Sequence, residues 1–248
     1  MDIQIGVADG VHRLSHAYVN CYLVEDESGV TLVDAGLPAM WPLLGEALGR
    51  LGRRLGDIRA LVLTHGHFDH LGFAARLRET VEMPAFVHAR DAQLAAHPYS
   101  YRPERNRLLY VLTHPGGWGP LARMTAAGAL SVKGVDPTTP LAPGQPLDVP
   151  GSLTPIATPG HTNGHCAFLL PGRDTVLSGD ALVTLDPYTG KEGPQVVATA
   201  ATSDSERALA SLEALADTGV TTLLSGHGEP WTDGAGRAVE AARQVGAH

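Results

Sequence analysis

The stretch Thr64-His65-Gly66-His67-Phe68-Asp69-His70, THGHFDH, places three of the chain's 12 histidines and one aspartate at positions 65–70. It directly follows Ile58-Arg59-Ala60-Leu61-Val62-Leu63, an apolar run of the kind that forms a buried strand. A glycine inside the cluster lets the backbone turn sharply, so that neighbouring side chains converge. One histidine at such a place is more often structural than functional. Three imidazoles and a carboxylate together are the donor types of a metal site.

Further along the chain the same arrangement recurs. His161 follows a strand-like run in TPGHTNGH (158–165), Asp180 closes one in VLSGD (176–180), and His227 follows one in LLSGHGEP (223–230). Each has a glycine close by. Burying five imidazoles and two carboxylates without partners would cost a few kcal/mol each, whereas a pair of divalent ions satisfies all of them. His65, His67 and His161 then offer one ion three nitrogens. Asp69, His70 and His227 offer the other an oxygen and two nitrogens, and Asp180 bridges both. Zn²⁺ suits this donor set best, and Fe or Mn²⁺ also fits. Each ion keeps an open position, as a catalytic site requires. Two divalent cations against two carboxylates and a hydroxide leave one net positive charge, which favours activation of water near neutral pH.

The remaining chain reads as strands alternating with helices. Strand-like runs occupy 3–7, 17–25, 29–34, 59–64 and 84–89, with helical spacing over 41–52 and 71–80. The second half adds strands in GSLTPIATPGH, HCAFLLP, DTVLSGD and VTTLLSGHG. It also holds a helix over 203–219 that starts at Ser203 or Asp204, and a closing helix after Thr232. Two halves of this kind, each running through strands toward His- or Asp-bearing loops, predict a layered α/β fold. The segment from about 97 to 134 lacks a strand period and reads as a largely helical lid insertion in a single domain spanning 1–248. Its Tyr99, Tyr101, Tyr110 and Trp118 are candidates for an apolar wall over the metals; the plainer alternative is that they pack the insertion onto the body.

Composition narrows the function classes. A net charge of −8 with scattered basic groups argues against a nucleic-acid partner. The short basic patches 49–54 and 101–107 read as solvated surface. No apolar run approaches the ~20 residues needed to cross a bilayer, and no basic segment leads into an apolar stretch at the N-terminus, so no membrane association is expected. Two cysteines, Cys21 and Cys166, without a CxxC pair make the reducing cytoplasm the expected location. The expected partner is a small-molecule substrate.

The motifs HGHFDH, TPGHTNGH, SGD and GHG, in this order, resemble the metallo-β-lactamase superfamily over about residues 3–231, with the ligand set of its dinuclear lactonase and glyoxalase II-like branch. The resemblance implies a four-layer αββα sandwich with the metal site at one edge of two sheets. It implies that Asp34, in VDAG, supports a ligand histidine from behind, and it gives His165 a supporting role. His12, His16, His88, His97, His114 and His248 receive no site role.

The expected reaction is hydrolysis of an ester, lactone, thioester or amide by a bridging hydroxide. Asp69 orients the nucleophile and carries a proton to the leaving group. The presence of Asp180 points away from the β-lactam hydrolases, which lack a bridging aspartate. Lactonases of the superfamily often carry a tyrosine three residues after that aspartate. Here Val183 stands there, and Tyr188 is the nearest substitute. Tyr110, Trp118 and Tyr188 are the candidate substrate contacts. The short tail after His227 argues against a glutathione thioester. Two other classes remain open: a mononuclear iron oxidoreductase like the persulfide dioxygenases, and a non-catalytic binding module on the same fold.

Overall fold

The computed structural model describes residues 1–248. Its strands are β1 (Asp2–Ala8), β2 (Val11–His16), β3 (Val19–Asp26), β4 (Gly29–Val33), β5 (Ile58–Val62), β6 (Ala85–His88), β7 (Thr139–Leu141), β8 (Thr154–Ala157), β9 (Cys166–Leu170), β10 (Thr175–Gly179), β11 (Val183–Leu185), β12 (Glu192–Gln195) and β13 (Thr222–Ser225). The helices are α1 (Trp41–Arg50), α2 (Ala74–Thr80), α3 (Ala92–Ala96), α4 (Arg107–Thr113), α5 (Trp118–Ala126), α6 (Ser205–Ser211), α7 (Glu213–Ala216) and α8 (Ala235–Val245).

β1 to β7 form one sheet in sequence order, antiparallel through β4 and parallel from β4 to β7. The second sheet has the order β13-β10-β9-β8, and β11 with β12 makes a separate ribbon. Strand alternation sorts the apolar side chains into layers. Tyr22, Val24, Ala60 and Val62 of the first sheet meet Phe168, Leu170, Leu177 and Leu224 of the second in a shared core. Their neighbours Leu23, Leu32 and Leu61 point the other way, onto Leu44 and Leu48 of α1 and Leu77 of α2. Val176 and Leu223 face Ala208, Leu212 and Leu215 on one side of the outer helices and Val239 of α8 on the other. The result is the αββα sandwich expected from sequence. No helix is long and apolar enough to cross a membrane.

Some elements differ from the sequence reading. β2, VHRLSH, was not expected because four of its six residues are polar. Arg13 is nonetheless only 2% exposed, since its guanidinium reaches Glu229 at 2.8 Å and the carbonyl of Gly228 at 3.0 Å. The partners that make this burial possible lie more than 200 positions away, so no local pattern shows them. The helix expected over 203–219 is two, α6 and α7, broken by a turn at buried Leu212; Asp204 caps α6 by accepting the N–H of Arg207 at 2.9 Å. Between β6 and β7 the chain leaves the sheet and carries α3, α4 and α5. Its later part, with Met124, Ala127, Val132 and Val135, belongs to the core under the first sheet. Tyr110 of α4 packs instead with Val183, Tyr188 and Val197.

Candidate metal centre

β4 and β5 run parallel and end side by side, which brings Asp34 next to Thr64. The Asp34 carboxylate accepts the Thr64 N–H at 2.9 Å, the Thr64 hydroxyl at 2.8 Å and His70 Nδ1–H at 2.8 Å. The Thr64 hydroxyl, having given its proton to Asp34, accepts His65 Nδ1–H at 2.9 Å. One buried carboxylate thus orients two imidazoles and leaves the Nε2 atoms of both free. Asp34 holds a left-handed backbone conformation, φ +58°, which aspartate tolerates better than most residues.

The second sheet supplies the other side chains. His161 points its Nδ1–H at Thr202 Oγ1, 3.2 Å away, and that hydroxyl donates onward to the carbonyl of Val197 at 2.7 Å. His227 donates Nδ1–H to the carbonyl of Tyr18 at 2.7 Å, so its Nε2 turns toward Asp180 and Asp69 at 3.2 and 3.4 Å. Asp180 follows Gly179, whose φ is +51° and whose position leaves no room for a side chain: a Cβ there would lie 2.8 Å from Thr64 and 2.9 Å from His165 Nε2. A Cβ on Gly226 would collide with Asp180 Oδ1. These two glycines permit the close approach of backbone to site.

All seven side chains proposed as ligands converge at this edge of the two sheets, and each is less than a tenth exposed. Three donor triads form, with donor atoms within 4.8 Å of one another: His65–His67–His161, His65–His70–Asp180 and Asp69–His70–His227. His65 Nε2, His67 Nε2, His70 Nε2 and Asp180 Oδ1 are buried without a hydrogen-bond partner. An unmet buried polar atom costs about 1–3 kcal/mol, and four in one cluster mark a place where divalent metal fits the residues present.

Charge is divided unevenly within the cluster. Burial pushes His65 and His67 well below the usual imidazole range and His161 down to about 4, with neighbouring imidazoles adding to the effect. Burial also opposes charge on His70 and His227. For these two the carboxylates win: Asp180 and Asp34 raise His70 well above its usual value, and Asp180 and Asp69 raise His227 to about 10. Asp69 and Asp180 are held low, against burial, by the same histidines. Three imidazoles are therefore neutral, with Nε2 of His65 and His67 unpartnered and Nε2 of His161 accepting His67 Nδ1–H at 2.9 Å, and two share protons with carboxylates.

His165 is buried beside the cluster, its Nδ1 2.8 Å from Thr158 Oγ1 and its Nε2 accepting the N–H of Asp180 at 3.0 Å. Among the candidate substrate contacts, Tyr188 is buried with its phenol beside that of Tyr101 and near Asp69. Tyr110 stacks on His114 at 3.8 Å and lines a separate cavity that also includes His248. Trp118 is 53% exposed and bonds the carbonyl of Val111. Tyr99 stacks on Phe68, its hydroxyl bound to the backbone of Ala129 and Val132. Of the four aromatic residues considered for a wall, Tyr101 is the one packed on a cluster histidine, its ring 4.0 Å from that of His67.

Asp91 escaped the sequence reading. It is 1% exposed and accepts Gly66 N–H at 3.1 Å, Thr162 hydroxyl at 2.6 Å and Gly164 N–H at 2.7 Å. It thereby ties the HGHFDH loop to the TPGHTNGH loop. Nothing around Asp91 in sequence distinguishes it from a surface residue starting a helix. Thr158 and Thr202, which orient His165 and His161, were equally invisible.

Comparison with known proteins places this geometry. The family model of the metallo-beta-lactamase superfamily matches residues 16–227. A protein described as a probable metallo-hydrolase, YflN of Bacillus subtilis (strain 168), is 28% identical over 250 residues, covering 91% of this chain and 86% of its own. An N-acyl homoserine lactonase of Bacillus thuringiensis is 26% identical over 226 residues, covering 82% and 77%. The crystal structure of TTHA1623 in a di-iron-bound form superposes with a TM-score of 0.65 at 27% identity, covering 93% of this chain and 96% of that one. With a match across most of its length and a histidine–aspartate cluster at the sheet edge, this chain belongs to the metallo-beta-lactamase superfamily.

Proposed function

We propose that this protein is a dinuclear metal-dependent hydrolase acting on the carbonyl of a small ester, lactone, thioester or amide. The observation that carries the reading is the set of three buried donor triads sharing His65 and His70. His65, His67 and His161 would hold one ion, Asp69, His70 and His227 the other, and Asp180 would contact both. Zn²⁺ suits these donors best, with Fe or Mn²⁺ as alternatives; the di-iron form of TTHA1623 supports two positions on this fold. When bound, such a pair lowers the pKa of water and polarises a carbonyl.

The chain's own residues prepare that chemistry. Asp34, Thr64, Thr202 and the carbonyl of Tyr18 fix the histidine rings so that their Nε2 atoms point inward. Asp69 sits at the rim of the cluster, 7% exposed and close to His227. It is placed to orient the nucleophile and to receive and return a proton. The phenols of Tyr101 and Tyr188 lie together beside Asp69, with the Tyr101 ring packed on His67.

The test is metal analysis of freshly purified protein, followed by assays on ester, lactone, thioester and amide panels. Two ions per chain, hydrolysis of at least one class, and loss of about 10²–10³-fold in kcat for Asp180→Ala are expected. Full activity in Asp180→Ala would overturn the mechanism. One iron per chain with oxygen uptake on a persulfide would replace it with the oxidoreductase reading.

A further inference from the structure

Beside His161 the site continues into a cavity of about 280 Å³. Its lining is polar: Arg90, Gln93, Arg102 and Asn163 contribute to it, and Leu94 and Tyr101 are its only apolar residues. Its one carboxylate, Asp91, is already engaged by three donors, Gly66, Thr162 and Gly164. The arginines that find carboxylates in this protein are Arg13, Arg50, Arg53 and Arg243. Arg90 and Arg102 are not among them; both are exposed, so the mouth of the cavity carries two guanidiniums without a carboxylate partner.

A third cation stands nearby. The guanidinium of Arg107 lies 4.4 Å from the centre of the Tyr101 ring, the same ring that packs on His67, and its Nε is buried without a partner. Positive charge is thus gathered on one side of the cluster in a chain whose net charge is −8. General attraction of anions to the protein cannot account for that; a local site can. Guanidiniums present forked donors that match carboxylate and phosphate oxygens in pairs. The volume is at the small end of ligand sites, which begin at roughly 300 Å³, so it suits one arm of a substrate rather than a second molecule.

We propose that this cavity is a subsite for an anionic arm of the substrate, a carboxylate or phosphate carried some bonds away from the scissile carbonyl, received by Arg90 and Arg102. This assignment rests on the hydrolase reading and narrows its substrate class. The carbonyl would lie at the histidine–aspartate cluster while the anionic end enters past Tyr101 and His161. Arg107 adds to the attraction without lining the cavity.

The experiment uses metal-replete protein and matched substrates that differ at the far end: carboxylate, phosphate or neutral amide. The wild type is expected to prefer one anionic arm. In Arg90→Gln, Arg102→Gln and the double variant, the ratio of kcat/KM for the anionic over the neutral substrate falls about tenfold or more, through KM, as losing one charge-assisted hydrogen bond predicts. Arg102→Lys recovers part of the preference. Calorimetric binding of glutarate and inorganic phosphate, compared between wild type and the double variant, gives a readout independent of turnover; weaker binding in the variant is expected. Which arm is preferred identifies carboxylate or phosphate. If substrates turn over and the charge preference and anion affinity are the same in wild type and variants, the subsite is wrong and the hydrolase reading stands. If nothing turns over but the variants bind the anions more weakly, the subsite stands and the hydrolase reading falls.

Discussion

His165 Nε2 accepts the backbone N–H of Asp180 at 3.0 Å, and its Nδ1–H donates to Thr158 Oγ1 at 2.8 Å. Both ring nitrogens are engaged within the protein, and burial pushes the ring's pKa down to about 3, so it stays neutral. The ring therefore positions Asp180 rather than offering a lone pair to an ion. His165→Ala is expected to lower metal affinity about 10–100-fold, the usual effect of removing an outer support, while circular dichroism stays native. Chelator competition measures it. An unchanged affinity would show that Asp180 needs no such support.

Asp34 holds Thr64 and His70 directly and His65 through Thr64. Asp34→Asn keeps the shape but turns an acceptor into a donor facing other donors. Metal affinity is expected to fall about 10–100-fold, and the metal-free protein to lose about 1–3 kcal/mol in urea unfolding, from the unmet buried groups.

Asp91 binds two loops together from 1% exposure. Asp91→Ala strands two N–H groups and a hydroxyl. A loss of roughly 2–4 kcal/mol is expected, since hydrogen bonds to charged groups are worth about 1.5–3 kcal/mol each and part of the loss is recovered by water. Chemical denaturation measures it. Rescue of metal affinity at low temperature, where the loops stay closed, would separate this from a direct effect on the ions.

The uneven charge distribution has a pH signature. In the metal-free protein His227, raised to about 10, and His70, raised well above its usual value, carry protons at neutral pH. Their pairing with carboxylates contributes stability that is fully present below the unfolded histidine value of about 6.5 and is lost as pH rises through the folded values. Asp180, held well below its usual value, contributes stability above about pH 4 that is lost as pH falls through its folded value. Metal binding must displace both protons. Apparent affinity is therefore expected to rise with pH, by about two log units per pH unit near neutrality. Calorimetry in buffers of different ionisation enthalpy should count about two protons released. Release of none would contradict the assigned protonation.

Gly226 lies where a Cβ would meet Asp180 Oδ1. Gly226→Ala is expected to abolish tight metal binding while shifting the thermal midpoint of the metal-free protein by only a few degrees, about 1–2 kcal/mol. Metal content after purification distinguishes this from misfolding.

Much of the fold was legible because apolar alternation and helical spacing are local properties. β3, β4, β5, β6 and β10 follow from runs such as VNCYLVED and IRALV, and α1 from the spacing of Leu43, Leu44, Ala47 and Leu48. The seven candidate ligands were legible for a related reason: each follows a strand end by eight residues or fewer, and glycine marks the turn. What sequence alone determined is which donor types exist and that strands deliver them to one edge.

Tertiary structure decided the rest, because a hydrogen bond is short and directional and its partner is set by packing rather than by position in the chain. Asp91 between two loops, Thr202 behind His161, the Tyr18 carbonyl behind His227 and Arg13 beneath Glu229 join residues 25 to 216 positions apart. Which way each imidazole turns, which aromatic ring rests on His67, and which arginines are left without a carboxylate follow only when both sheets have packed face to face.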